Sequence, residues 1–138
     1  MSSETIMQTA IELPSSQKSL SQVEFYVQSV LDHLKVDAAH HGNVMVALSE
    51  AAINAIKHGN LEDESKNINI KYTVDGKELV FFVEDQGKGF DYNNIPDPTA
   101  PENLEKETGR GIFLIRNLSD GYEFSHAGRV LKISFFIL

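Results

Sequence analysis

The stretch Glu50-Ala51-Ala52-Ile53-Asn54-Ala55-Ile56-Lys57-His58-Gly59 decides how the rest of the chain is read. On a helix of 3.6 residues per turn, with Glu50 at zero, Asn54 falls at about 40°, Lys57 at about −20° and His58 at about 80°. Four polar side chains therefore share an arc of roughly 100°. Val44, Leu48, Ala51, Ala52 and Ala55 take the far side, where the alanines permit close packing. A purely solvated face usually carries Glu/Lys pairs, whereas this one mixes an acid, an amide and bases. Two glycine-rich turns follow, Asp85-Gln86-Gly87-Lys88-Gly89-Phe90 and Thr108-Gly109-Arg110-Gly111-Ile112.

Working outward, the pattern predicts a helix from about Ala38 to His58, with Asp37 as its cap and Gly59-Asn60 as a stop with positive φ. Ahead of it, Leu20, Val23, Phe25, Tyr26, Val27, Val30, Leu31 and Leu34 give residues 18–34 a helical apolar face, capped by Ser16 or Ser19. Ile6 to Leu13 reads as a short strand closed by Pro14-Ser15-Ser16. Downstream, Ile68 to Val74 alternates, Asp75-Gly76 signals a hairpin, and Leu79 to Val83 is apolar on both faces and so central. Residues 91–108 carry three prolines and read as a long lid-like loop. A third helix is predicted from about Gly109 to Leu118, then a hairpin of Tyr122 to Ser125 and Val130 to Leu138 turning at Ala127-Gly128. Tight hairpins demand antiparallel neighbours. The expected fold is an α+β two-layer sandwich, with a mixed, mostly antiparallel sheet of about five strands and three helices on one face.

The 138 residues read as one domain, 1–138, long enough to bury a core without staples. The chain has no cysteine, which removes disulfides and thiolate metal sites. Its formal charge of −8, without a basic cluster, argues against nucleic acid as a partner. No apolar run is long enough for a bilayer and no secretory pattern opens the chain, so the cytoplasm is the expected setting.

The three elements in this order describe a pocket for a nucleotide and its metal. Glu50 can act as a base towards a hydroxyl or water. Asn54 offers a neutral carbonyl oxygen suited to Mg²⁺. Lys57 is a point charge for phosphate or, equally, a solvated lysine. His58 reads as a helix-end structural residue, and His40 and His41 as surface residues without a partner. Asp85 can accept from an exocyclic amine such as adenine N6, or form a plain Asx turn. Unpaired amides around Gly109 and Gly111 suit an anion. Arg110 meets either phosphate or a lid acid. No Walker A loop, dinucleotide fingerprint or protein-kinase signature is present.

Read together, these motifs resemble the GHKL superfamily of ATP-binding domains, which includes gyrase, MutL and histidine kinases. The likeness is greatest to the bacterial anti-sigma factor serine/threonine kinases. Ser49 to Gly59, Val83 to Asp91 and Gly109 to Ile115 look like that subfamily's three motifs. The resemblance implies Glu50 as general base and Asn54 as Mg²⁺ ligand. It implies Asp85 at the adenine amine, with Gly87 and Gly89 shaping that wall. Gly109 and Gly111 would give amides to the phosphates, under a lid of residues 91–108, and Lys57, Phe90, Arg110 and Ile112 are further candidates for binding the nucleotide. It further implies ATP as phosphoryl donor, a STAS-type anti-anti-sigma antagonist as substrate, a sigma factor as sequestered partner, and a homodimer. A nucleotide-ordered interaction module without phosphotransfer is the alternative. One departure stands out: Gly128-Arg129 replaces the Gly-Thr that family members often place before the last strand.

Overall fold

The computed structural model describes residues 10–89 and 107–138. Residues 6–9, Phe90 and residues 91–106 of the expected lid lie outside the described residues. The elements run β1 (Ala10–Pro14), α1 (Leu20–His33), α2 (His41–Ile53), a π-helical turn (Asn54–Gly59), β2 (Asn67–Asp75), β3 (Glu78–Glu84), α3 (Glu107–Leu118), β4 (Gly121–Ser125) and β5 (Val130–Phe136). The strands form one sheet in the order β1-β2-β3-β5-β4, which puts β3 at the centre as its two apolar faces predict. All four ladders are antiparallel, and no parallel pair occurs among the described residues. Gly76 turns the β2–β3 hairpin at φ 62.

Period-3.6 spacing puts Val23, Tyr26, Val27, Val30 and Leu31 of α1 into the core. Phe25, on the opposite side of α1, is 76% exposed. The Ser16 hydroxyl caps the short 3₁₀ turn that leads into α1, accepting from Lys18 N at 3.2 Å. Ser19 instead donates to Pro14 O at 2.8 Å. α1 ends in a Schellman pattern, Val36 N to Leu31 O at 3.0 Å and Lys35 N to Asp32 O at 3.1 Å, with Lys35 at φ 56. Asp37 caps the next helical segment by accepting from Ala39 N at 2.9 Å.

His40 is exposed as expected, but His41 is half-buried and has partners. Its Nε2 donates to Val36 O at 2.8 Å while Nδ1 accepts from Gln28 at 3.1 Å, a tautomer assigned from those bonds. The imidazole therefore ties α1 to the start of α2.

The core side of the sheet repeats every second residue: Ile68, Ile70 and Tyr72 on β2, Leu79, Phe81 and Val83 on β3, and Leu131, Ile133 and Phe135 on β5. Phe81 packs edge-on to Phe135, with ring centroids 6.4 Å apart. One cross-strand row, Ile70, Val83, Leu131 and Phe124, lies towards the end of the sheet where α2 terminates.

The chain leaves α2 differently from the expected stop. Gly59 and Asn60 are not the positive-φ residues; Leu61 and Glu62 are, at φ 55 and 58. Asn60 is instead 1% exposed and uses its whole side-chain amide. Its Nδ2 donates to Ser15 Oγ at 2.6 Å and Asn67 O at 3.0 Å, and its Oδ1 accepts from Gln86 N at 2.7 Å. One side chain thereby joins the end of α2, the exit of β1, the start of β2 and the turn after β3. Replacing it with alanine removes all three bonds and strips partners from the part-buried Asn67 carbonyl and Gln86 amide, while the buried Ser15 hydroxyl keeps only its bond to Lys66 O. Asn60→Ala is expected to lower the unfolding free energy by about 3 kcal/mol, read by urea denaturation; a loss below about 1 kcal/mol would contradict this hub role.

Candidate functional site

At the end of the sheet marked by Val83, Leu131 and Phe124 lies a cleft of about 230 Å³. Ala51, Ala55 and Ile112 extend its apolar lining, while Asn54, His58, Asp85 and Arg129 supply polar groups. Sequence spacing assigned Ala51 and Ala55 to the packed far side of α2. Both are buried, but they also line the cleft, so small side chains here make room for a ligand as well as for packing.

The expected α-helix through His58 gives way to a π turn from Asn54. Asn60 N bonds to Ala55 O, five residues back, at 2.8 Å. Such turns are rare and concentrate at functional sites. His58, read from sequence as structural, lines the cleft on this turn and is exposed. Lys57 is half-buried and lies outside the cleft lining.

Glycines carry the geometry where the π turn meets the loop after β3. A Cβ on Gly59 would strike the Asp85 carboxylate, and one on Gly87 would strike the Gly59 carbonyl oxygen. Gly87 N donates to Asp85 Oδ1 at 2.8 Å, and Asp85 N donates to Arg129 O at 2.9 Å. The Gly87 amide thus holds the carboxylate at the cleft wall, and the Arg129 carbonyl fixes the backbone that carries it. Gly89, at φ 83, fits against the Ala127 carbonyl at the tip of the β4–β5 hairpin, where a Cβ would collide. That tip carries three consecutive positive-φ residues, His126, Ala127 and Gly128.

On the opposite side, α3 begins at Glu107, two residues earlier than predicted, so Gly109, Arg110 and Gly111 lie inside its first turns. Arg110 is exposed. Gly111 is buried against α2: a Cβ there would sit 3.1 Å from Glu50 Oε1 and 3.7 Å from the Asn54 amide. The polar face of α2 therefore meets the start of α3. Asn54 lines the cleft, and Glu50 stands beside Gly111, outside the lining.

Asp85 is half-buried, and that burial raises its carboxyl above the ordinary carboxylate range. The Gly87 amide and the charge of Arg129 pull in the other direction, while Glu84 adds to the rise. Among the described residues no three His, Cys, Asp or Glu side chains gather to hold a metal. A cation here would need most of its ligands from water or from a bound anion.

Sequence reasoning identified Asn54, Asp85, Gly89 and Ile112, all of which line the cleft. It missed His58, Phe124 and Arg129 as lining residues. The row register of Phe124 follows only from strand pairing, and Arg129 had been noted merely as a departure.

Comparison with known proteins places these features in context. The family described as "Histidine kinase-like ATPase domain" matches residues 13–135. A protein named serine-protein kinase RsbW from Oceanobacillus iheyensis is 34% identical over 90 residues, covering 61% of this chain and 57% of that protein. One of the same name from Staphylococcus aureus is 27% identical over 117 residues, covering 80% of this chain and 74% of that protein. The chain thus spans little more than half the length of the first relative. The fold is similar to a crystal structure of the RsbU and RsbW domains of a Mycobacterium tuberculosis protein, with a TM-score of 0.63 and 15% identity. That match covers 93% of this chain and 32% of the other.

The buried carboxylate gives the cleft a measurable pH signature. With its folded pKa raised, Asp85 contributes stability below its unfolded pKa and loses it as pH rises through the folded value. Ligand-free Asp85→Asn should therefore be at least as stable as the wild type at about pH 7, and lose that advantage below about pH 4. Urea unfolding at both pH values reads this, and a variant less stable at both would mark Asp85 as a structural turn residue. Gly59→Ala, which drives a methyl into that carboxylate, should destabilise the fold by about 1–3 kcal/mol in the same assay.

Proposed function

We propose, from the premise that the chain belongs to the histidine kinase-like ATPase domain family, that it is an ATP-dependent serine/threonine protein kinase of the anti-sigma factor type. In this reading it works in the cytoplasm as a homodimer. It phosphorylates a STAS-type anti-anti-sigma antagonist and holds a sigma factor while that antagonist is phosphorylated. The name serine-protein kinase carried by the relatives supports the choice of reaction. The observation that carries the proposal is that Asn54, which lines the cleft together with Asp85, meets Gly111 of α3 beside Glu50, while Asp85 is seated against Gly59.

The residues divide the work by chemistry. Asp85, an acceptor when ionised, takes the exocyclic amine of adenine, and Val83, Leu131 and Phe124 bury the flat faces of the base. Gly59 and Gly87 hold that carboxylate in place, and Gly89 admits the hairpin tip that closes this wall. Gly109, Arg110, Gly111 and Ile112 put the start of α3 at the phosphates, where its amides and Arg110 offset negative charge. Lys57 adds a further positive charge at the phosphate end.

Mg²⁺ fits the donor set: Asn54 provides one hard, neutral oxygen, and a magnesium ion ordinarily keeps several waters and takes phosphate oxygens for the rest. When bound, the ion supplies charge neutralisation on the phosphates. Glu50 removes the proton from the acceptor hydroxyl as its oxygen bonds to the γ-phosphorus. The bond from that phosphorus to the β-γ bridging oxygen breaks, and ADP leaves.

Incubation with γ-labelled ATP, Mg²⁺ and candidate antagonist domains tests the proposal. Label is expected on an antagonist serine or threonine. Glu50→Gln should slow its appearance by at least about 100-fold while nucleotide binding persists. ATP-dependent retention of the antagonist without any label would favour the interaction module instead. Asn54→Ala should remove the Mg²⁺ dependence of nucleotide affinity, measured by calorimetry with and without chelator. An undiminished dependence would place the metal elsewhere.

A further inference from the structure

The polar groups of the cleft are unequal readers of a base. The apolar row of Val83, Leu131 and Phe124 offers surface without donors or acceptors, so it is indifferent to the edge of the ring it covers. Asp85, ionised, only accepts. The exocyclic amine of adenine has the ring nitrogens N1 and N7 on its two sides, and both only accept. Full recognition of that edge requires a donor beside the carboxylate. Arg129 is held at that place by the backbone bond from Asp85 N to its carbonyl, 2.9 Å, and by the Glu84–Val130 register next to it. It lines the same cleft. Its guanidinium has five donors, no acceptor and a permanent charge, so it can meet only an acceptor.

We infer that Arg129 is a specificity-determining residue of this cleft, donating a hydrogen bond to a ring nitrogen of a purine whose exocyclic amine is held by Asp85. The assignment rests on the nucleotide reading above and adds to it a residue that recognises the base. The charge of Arg129 also acts on Asp85 itself, which places the two groups in electrostatic reach of one another. Together they form a donor and acceptor pair matched to the amine and adjacent ring nitrogen of adenine.

Binding of ATP, 1-deaza-ATP and 7-deaza-ATP to the wild type and to Arg129→Met tests the inference. Each analogue lacks one of the two ring nitrogens beside the amine. The wild type should bind one of them about tenfold more weakly than ATP. Arg129→Met should lose about the same factor for ATP and no longer distinguish that analogue, the signature of one shared contact. Wild type that binds ATP and both analogues alike overturns the assignment, whether or not the variant folds. An Arg129→Met protein that keeps the wild-type discrimination also overturns it, because the guanidinium then acts through general attraction to phosphate. Wild type that binds no ATP overturns the nucleotide reading as well, so the two failures are distinct.

Discussion

The bare Cα of Gly59 is the constraint on which the cleft depends. Three separate pieces of chain meet there: the last turn of the long helix, the carboxylate of Asp85 and the backbone of Gly87. A side chain at either glycine would separate the helix from the sheet end by at least a methyl group. Van der Waals packing at this density transmits such displacements instead of absorbing them. The amide of Asn60 locks the same junction from behind, bonding to the exit of β1, to the start of β2 and to the turn that follows Asp85. A buried, fully satisfied polar side chain specifies one arrangement more sharply than an apolar one, because every alternative leaves a donor or acceptor dry.

The π turn supplies the geometry that makes this meeting possible. Its five-back bond, Asn60 N to Ala55 O, replaces the regular helical ladder over Asn54–Gly59. Asn54, Ala55, His58 and Gly59 from that turn all reach the cleft. Glu50, one regular turn earlier, is directed to α3 at Gly111. Two helical geometries in one continuous segment thus serve two neighbouring tasks, and the polar stripe of the sequence is divided between them.

Much of this was legible in the residues. Alternation in β2 and the apolar run of β3 marked a hairpin and its central strand, since period-2 patterns and two-sided apolarity have few other readings. The Asp85-x-Gly87-x-Gly89 spacing pointed to a special turn because glycine's tolerance for close approach is a property of single residues. What escaped depends on longer range. The π turn has no propensity signature, so an ideal wheel assigned Ala55 to packing alone. The positive-φ residues after α2 proved to be Leu61 and Glu62, unfavourable types there, because Gly59 is consumed by the contact with Asp85. Asn60 looked like a helix stop and is a hydrogen-bond hub, a role set by partners up to 45 residues away. Arg129 and Phe124 enter the cleft through strand register, which the sequence leaves open until the pairing is known.

The hairpin tip at His126, Ala127 and Gly128 looks like any surface turn, the kind of place where chains ordinarily tolerate added or lost residues. Here the carbonyl of Ala127 sits where Gly89 has no side chain, so the length of this turn is part of the cleft's dimensions. Lengthening or shortening it by one residue would move a wall of the site and shift Arg129, which lies in the turn just before β5. The residue count of this turn is thus under the same steric restriction as the interior.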